Sequence, residues 1–207
     1  MALVKHNNNS ISAVTSMASL TTGAMTLIKE QTASSSASIS FVDGSSDVVL
    51  DSTYPIYKFV WINCHPSSDA QEFRFNLSTD GGSNYNVTKT TTYFNAYHNE
   101  DDSDAGLNYD SGRDLAQSTS DQPLNNSVGN ENDQSASGEL FLFNPSSTTF
   151  VKHFISIASV DEYRSIGHNS YVAGYGNTTS AIDAVQFKMA SGNIDSGTIK
   201  LYGLKDS

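Results

Sequence analysis

Three features of the chain predict an all-β fold built as an antiparallel sandwich. Apolar residues alternate with polar ones along short runs, as in Ala37, Ile39 and Phe41 set against Ser36, Ser38 and Ser40. Such a period of two places one face of a strand in a core and the other in water. No stretch repeats its apolar residues at the helical spacing over a useful length, and clusters of Gly, Asp, Asn and Ser punctuate the runs at short intervals. Eight to ten such strands in one sheet would leave a face of the aromatic positions wet, whereas two packed sheets bury it.

Taken in order, residues 1–33 read as an N-terminal arm, Ser/Thr-rich with a weak apolar patch at Met25, Leu27 and Ile28. One short helix over Ile11–Leu20 fits its pattern, although Ser and Thr compete with helical hydrogen bonding. Clean alternation begins at Ser34, and Asp43-Gly44-Ser45-Ser46 ends the first strand as a turn. Ile56 to Cys64 is a nearly continuous apolar run with Tyr57, Phe59, Val60 and Trp61, suited to a central strand. Phe73, Phe75 and Leu77 alternate with Glu72, Arg74 and Asn76. Asp80-Gly81-Gly82-Ser83 then signals a hairpin whose return strand is Tyr85 to Phe94. Further strands are expected at Leu140–Phe143, Phe150–Ala158, Tyr171–Tyr175, Ala184–Met189 and Thr198–Leu204. Residues 34–207 therefore form the predicted sandwich domain. Its rhythm is broken by a long loop at about 98–137, of a length that compact domains usually keep for function.

Composition restricts the function. The chain has 207 residues, enough for one good core. Roughly a third of it is Ser, Thr or Asn, yet its 10 Phe and 10 Tyr set it apart from disordered sequences. A net charge of −11 opposes both nucleic acid and anionic membrane, and no apolar run has the length of a bilayer span. Neither nucleic acid nor membrane is expected as a partner. Cys64 is the only cysteine, so no intrachain disulfide forms, and its place in an apolar strand favours an inert thiol.

Catalytic signatures are missing: no Gly-x-Ser-x-Gly elbow, no His-Glu-x-x-His helix, no phosphate-cradling Gly-rich loop. No enzyme is predicted and no cofactor is required. Glu100, Asp101, Asp102 and Asp104 are the one candidate metal site, since calcium takes six or more oxygens. The spacing is not that of an EF-hand, and a solvated acidic loop tip is the competing reading. Sugar recognition suits the residue types better, because aromatic faces stack on pyranose rings while amides and carboxylates take hydroxyl hydrogen bonds. Tyr109 and Arg113, within the long loop, are the candidate ligand-binding residues, with Tyr93 and Tyr97 at its border.

The opening segment, with Met1 to Leu3, Lys5, Asn7, Asn8, Ser10, Ala13, Val14 and Thr15, resembles the start of many tailed-bacteriophage virion proteins. The body extends the likeness. Phe41-Val42-Asp43-Gly44, Phe143-Asn144-Pro145-Ser146 and the closing Ser196-Gly197-Thr198-Ile199-Lys200-Leu201-Tyr202-Gly203-Leu204 resemble β-sandwich modules of phage virions, marine phages especially. The resemblance implies a sandwich of jelly-roll type with a non-enzymatic structural role on the particle. Foremost is a short tail-fibre or receptor-binding protein, displayed on the tail or capsid surface. A capsid-decorating protein and a free-standing carbohydrate-binding module are the alternatives. It further implies a homotrimer, attachment to other virion proteins through residues 1–33, and contact with a host surface glycan.

Overall fold

The computed structural model describes residues 24–205, and its strands form two antiparallel sheets. In chain order they are β1 (Met25–Ser36), β2 (Ile39–Val42), β3 (Ile56–Pro66), β4 (Phe73–Ser78), β5 (Lys89–Asn99), β6 (Ala105–Tyr109), β7 (Gln122–Pro123), β8 (Ala136–Phe143), β9 (Lys152–Glu162), β10 (Ile166–Gly176), β11 (Ala184–Met189) and β12 (Ile194–Leu204). The large sheet runs β1-β12-β3-β8-β9-β10-β5-β6, and the small one runs β2-β11-β4-β7. No helix among the described residues is long and apolar enough to cross a membrane.

Alternation fixes which side chains lie between the sheets. Tyr57, Phe59 and Trp61 of β3, Leu140 and Leu142 of β8, and Ile199 and Leu201 of β12 are buried from the large sheet. Phe41, Phe73, Phe75, Val185 and Phe187 meet them from the small one. Phe187 sits at the centre, its ring 5.3 Å from that of Phe59 and stacked at 5.6 Å on Phe73. The β3–β12 ladder slips near one end, where Asn63 takes a φ of 50° and Gly197 a φ of 124°. A Cβ on Gly197 would stand 2.7 Å from the Asn63 carbonyl oxygen, so only glycine fits that approach.

Three expectations require correction. The arm expected at residues 1–33 ends earlier, because Met25 to Ala33 belong to β1, which pairs with β12 from Met25↔Leu204 onward. That pairing rests on backbone hydrogen bonds, which Ser and Thr supply as well as any residue. Residues 1–23, including the short helix expected at Ile11–Leu20, lie outside the described residues. The Asp80–Ser83 turn does form, with Gly81 and Gly82 at positive φ, but it does not close a hairpin. After Val87 donates to the Leu77 carbonyl, the chain crosses to the large sheet, where β5 pairs with β10 and β6. The 98–137 segment is not one open loop either: it holds β6, β7 and the start of β8, and buries Gln122, Leu124, Asn125, Asn126 and Val128. Its apolar content is too sparse to show as a strand, because polar side chains such as Asn125 carry its packing, with Asn125 Oδ1 accepting from Phe73 N of β4 at 2.9 Å.

Candidate functional site

A sheet of eight strands packed on a sheet of four overhangs it, and the site lies under that overhang. Along β5 the inward series Thr91, Tyr93, Asn95 begins against the polar filling between the layers, where Thr91 Oγ1 donates to Gln122 Oε1 and Tyr93 bonds Ser170 Oγ at 2.8 Å. The same series continues as Tyr97 and Asn99 past the cover. There Asn95, Tyr97 and Asn99, together with Asn108 and Tyr109 of β6 and His168 of β10, line a cleft of about 530 Å³. Asp104, Asp110, Asn126 and Arg164 line its rim and floor. This size lies within the usual range for small-ligand sites.

The floor is a buried amide–imidazole cluster. Asn95 Nδ2 lies 3.2 Å and Asn126 Nδ2 3.0 Å from His168 Nδ1. Two amide groups thus converge on Nδ1, and Asn126 Nδ2 also lies 3.3 Å from Nε2. Burial pushes the His168 imidazole down from its ordinary value, against a smaller opposing pull from Glu162, so the ring is neutral at pH 7. Asn95 is 4% exposed, yet its Oδ1 has no hydrogen-bond partner among the described residues, and Asn99 Oδ1 shares that condition. Turning the Asn95 amide over would exchange an orphan acceptor for an orphan donor without removing the deficit. Buried polar groups left unpaired are costly, and both of these belong to residues that line the cleft.

The walls are aromatic, and the charges of Asp110 and Arg164 there are paired. Tyr97 donates to Asp104 Oδ2 at 2.9 Å and Tyr109 to Asp114 Oδ2 at 2.5 Å. These bonds hold both phenols above their ordinary range and fix the rings at the cleft wall. Arg164 grips the buried Glu162 through two bonds of 3.0 and 2.6 Å. Asp110 is neutralised by Arg113.

The predicted site residues are placed unevenly. Tyr109 and Asp104 line the cleft, whereas Arg113 does not. Its guanidinium pairs with Glu72 at 2.9 Å and with Asp110, and it lies 6.0 Å from the Tyr93 ring centre. It therefore anchors the long segment rather than meeting a ligand. The carboxylates of the calcium candidate diverge. Asp101 accepts from Ser103 N and Oγ, which holds it below the usual carboxylate range, Asp102 pairs with His98, and Asp104 takes the Tyr97 phenol. Glu100 is exposed, and no group of three or more His, Cys, Asp or Glu among the described residues is arranged to hold a metal. Three of the four carboxylates have found separate local partners and Glu100 is exposed, so the calcium reading is left without a converged ligand set. Sequence reasoning missed Asn95, Asn126, His168 and Arg164. The available signal was Asn95 itself, an amide in phase with the inward Tyr93 in the middle of a strand.

Comparison with known proteins gives no match to a protein family, to a characterised protein or to a solved structure.

Proposed function

We propose that this chain is a non-enzymatic surface component of a bacteriophage particle, foremost of tail-fibre or receptor-binding type, which binds a neutral glycan in the cleft beneath β5, β6 and β10. The fold that accompanies this reading is a sandwich of jelly-roll type, supported by neighbours far apart in sequence such as β1 beside β12 and β2 beside β11. The observation that carries the binding role is the pair of unpartnered amide oxygens, Asn95 Oδ1 and Asn99 Oδ1, in a cleft walled by Tyr97 and Tyr109. Sugar hydroxyls donate and accept, so they satisfy an amide in either orientation, and the tyrosine faces suit the C–H surface of a pyranose ring. With Asp110 held by Arg113, Glu162 by Arg164 and Asp104 left without a cation, the cleft disfavours an anionic ligand. Binding rather than catalysis is supported by the same contacts. His168 is spent on two amides, and Asp104 is tied to a phenol. Residues 1–23 are the remaining candidate for attachment to other virion proteins.

Two measurements test the proposal. Electron microscopy of particles labelled with antibody to this chain should show label on the tail, or on the shell if the chain decorates the capsid. Particles without label would overturn the virion assignment. Titration of the purified chain with a panel of neutral mono- and disaccharides should give binding that Tyr109→Ala weakens. Absence of binding across the panel, or binding indifferent to Tyr109→Ala, would remove the cleft from the account.

A further inference from the structure

In a sandwich the outward positions of each strand are ordinarily polar, because they face water. The outer face of the large sheet departs from that rule along two cross-strand rows. One row runs Phe94, Tyr171, Ile157, Glu139, Val60 and on to Lys200 and Glu30. The next runs Ala173, Ile155, Phe141, Lys58, Tyr202 and Leu27. Phe94, Ile155 and Leu27 are 41%, 47% and 50% exposed, and Phe94 stacks flat on Tyr171 at 4.9 Å. The relief alternates ridge and hollow. A groove of about 550 Å³ is lined by Phe143, His153, Ile155 and Tyr175, and one of about 420 Å³ by Val60, Ile62, Ile157 and Asn169.

We propose that this face is the contact through which two copies of the chain pair, sheet on sheet. Three observations select a second copy as the occupant. The first is charge. A chain of net charge −11 repels its own copies, yet the charged groups in these two rows are Lys58, Glu139, Lys200 and Glu30, which sum to zero. They are already joined within the chain, Lys58 to Glu139 at 2.6 Å and Lys200 to Glu30 at 3.0 Å. The second is area. Eight strands at a spacing of ~4.8 Å, most of them ~30 Å long or more, give a face of roughly 1,000 Å². That exceeds the ~800 Å² per partner of a standard stable interface. The third is relief: the ridge of Ile155 and Ile157 and the flanking grooves lie on one patch, so the patch complements itself. A self-complementary patch closes a two-fold pair, and twisted sheets pack face to face at ~10 Å with strands about 30° from aligned. The stoichiometry differs from the threefold assembly implied by the phage resemblance. It is independent of what the cleft binds, since the cleft opens toward the opposite, inner side of the sheet.

Sedimentation equilibrium of the full chain, from micromolar to several hundred micromolar, tests the pairing. The expected mass is twice 22.3 kDa. The Ile155→Lys, Ile157→Lys double variant should weaken association at least ~10-fold, the equivalent of about 1.4 kcal/mol. Phe150→Lys, a change at a more exposed apolar residue in the loop before β9, should leave it unaltered. Raising salt should strengthen association, because it screens the residual repulsion and spares the apolar contact. If the lysine variant does not fold by circular dichroism, Ile155→Thr with Ile157→Thr keeps the β-branched shape and makes the same test. A mass of one chain at every concentration, a mass of three chains, or a dimer indifferent to both variants would overturn the proposal.

Discussion

Replacing Phe187 by alanine strikes the point at which both sheets meet. The side chain is fully buried, and its ring lies within 6.4 Å of five others, those of Phe41, Phe59, Trp61, Phe73 and Phe75. Truncating a buried Phe costs ~3–5 kcal/mol in lost burial and residual cavity. This site falls at the upper end, because five rings cannot all collapse into one hole and each favourable aromatic pair adds ~0.5–1.5 kcal/mol. Against a total stability of about 5–15 kcal/mol, that loss removes a large share and can unfold a weak domain. Phe187→Leu refills most of the volume and loses chiefly ring geometry, so about 1–2 kcal/mol is expected for it. The comparison is Tyr171→Ala on the outer face, where a single stacked partner, Phe94, gives about 1 kcal/mol. Urea unfolding followed by tryptophan fluorescence reports all three, since Trp61 packs 6.4 Å from Phe187. A midpoint for Phe187→Ala no lower than that of Tyr171→Ala, at unchanged slope, would refute the placing of Phe187 at the centre of the core.

Leu201→Ala should cost ~2–5 kcal/mol while Lys200→Ala stays within about 0.5, because Leu201 is buried between the sheets and Lys200 faces out to Glu30; equal shifts in Tm would contradict the β12 register. Lys89 is buried with Nζ on Asn76 Oδ1 and the Val87 carbonyl, and burial lowers its pKa to about 8 from 10.5. Above pH 8 the folded state loses this proton before the unfolded chain does, so stability rises with pH. Relative to Lys89→Met, the wild type should gain about 1 kcal/mol between pH 8 and 9 in urea unfolding, and parallel curves would count against the lowered pKa of Lys89. Burial pushes the Cys64 thiol up to about 12, so it should resist a water-soluble thiol reagent until the protein is denatured, and rapid labelling of the native chain would show that β3 opens there.

The amino-acid sequence by itself determined the fold class and most strands, because alternation is a local property set by whether each residue favours water or a core. Phe73, Phe75 and Leu77, Ala184 to Met189, and Ile199 with Leu201 occupy the strands and faces that their alternation indicates. Strand partnership was not legible, since backbone hydrogen bonds are the same for every residue. Met25–Ala33 reads as the end of an arm and becomes most of an edge strand, while the Gly81-Gly82 turn sends the chain to the other sheet instead of back along β4. The cleft was half legible. Tyr109 and Asp104 lie in it, but Asn95, Asn126 and His168, 73 positions apart at the extremes, converge only because β5 lies beside β10 and the long segment folds over both. Whether Arg113 anchors or binds, and whether four acidic residues pool or disperse, depended on partners such as Glu72, Ser103 and Tyr97. Those choices belong to tertiary structure, because a charged or polar group takes the nearest complementary atom in space, and chain order does not specify which atom that is.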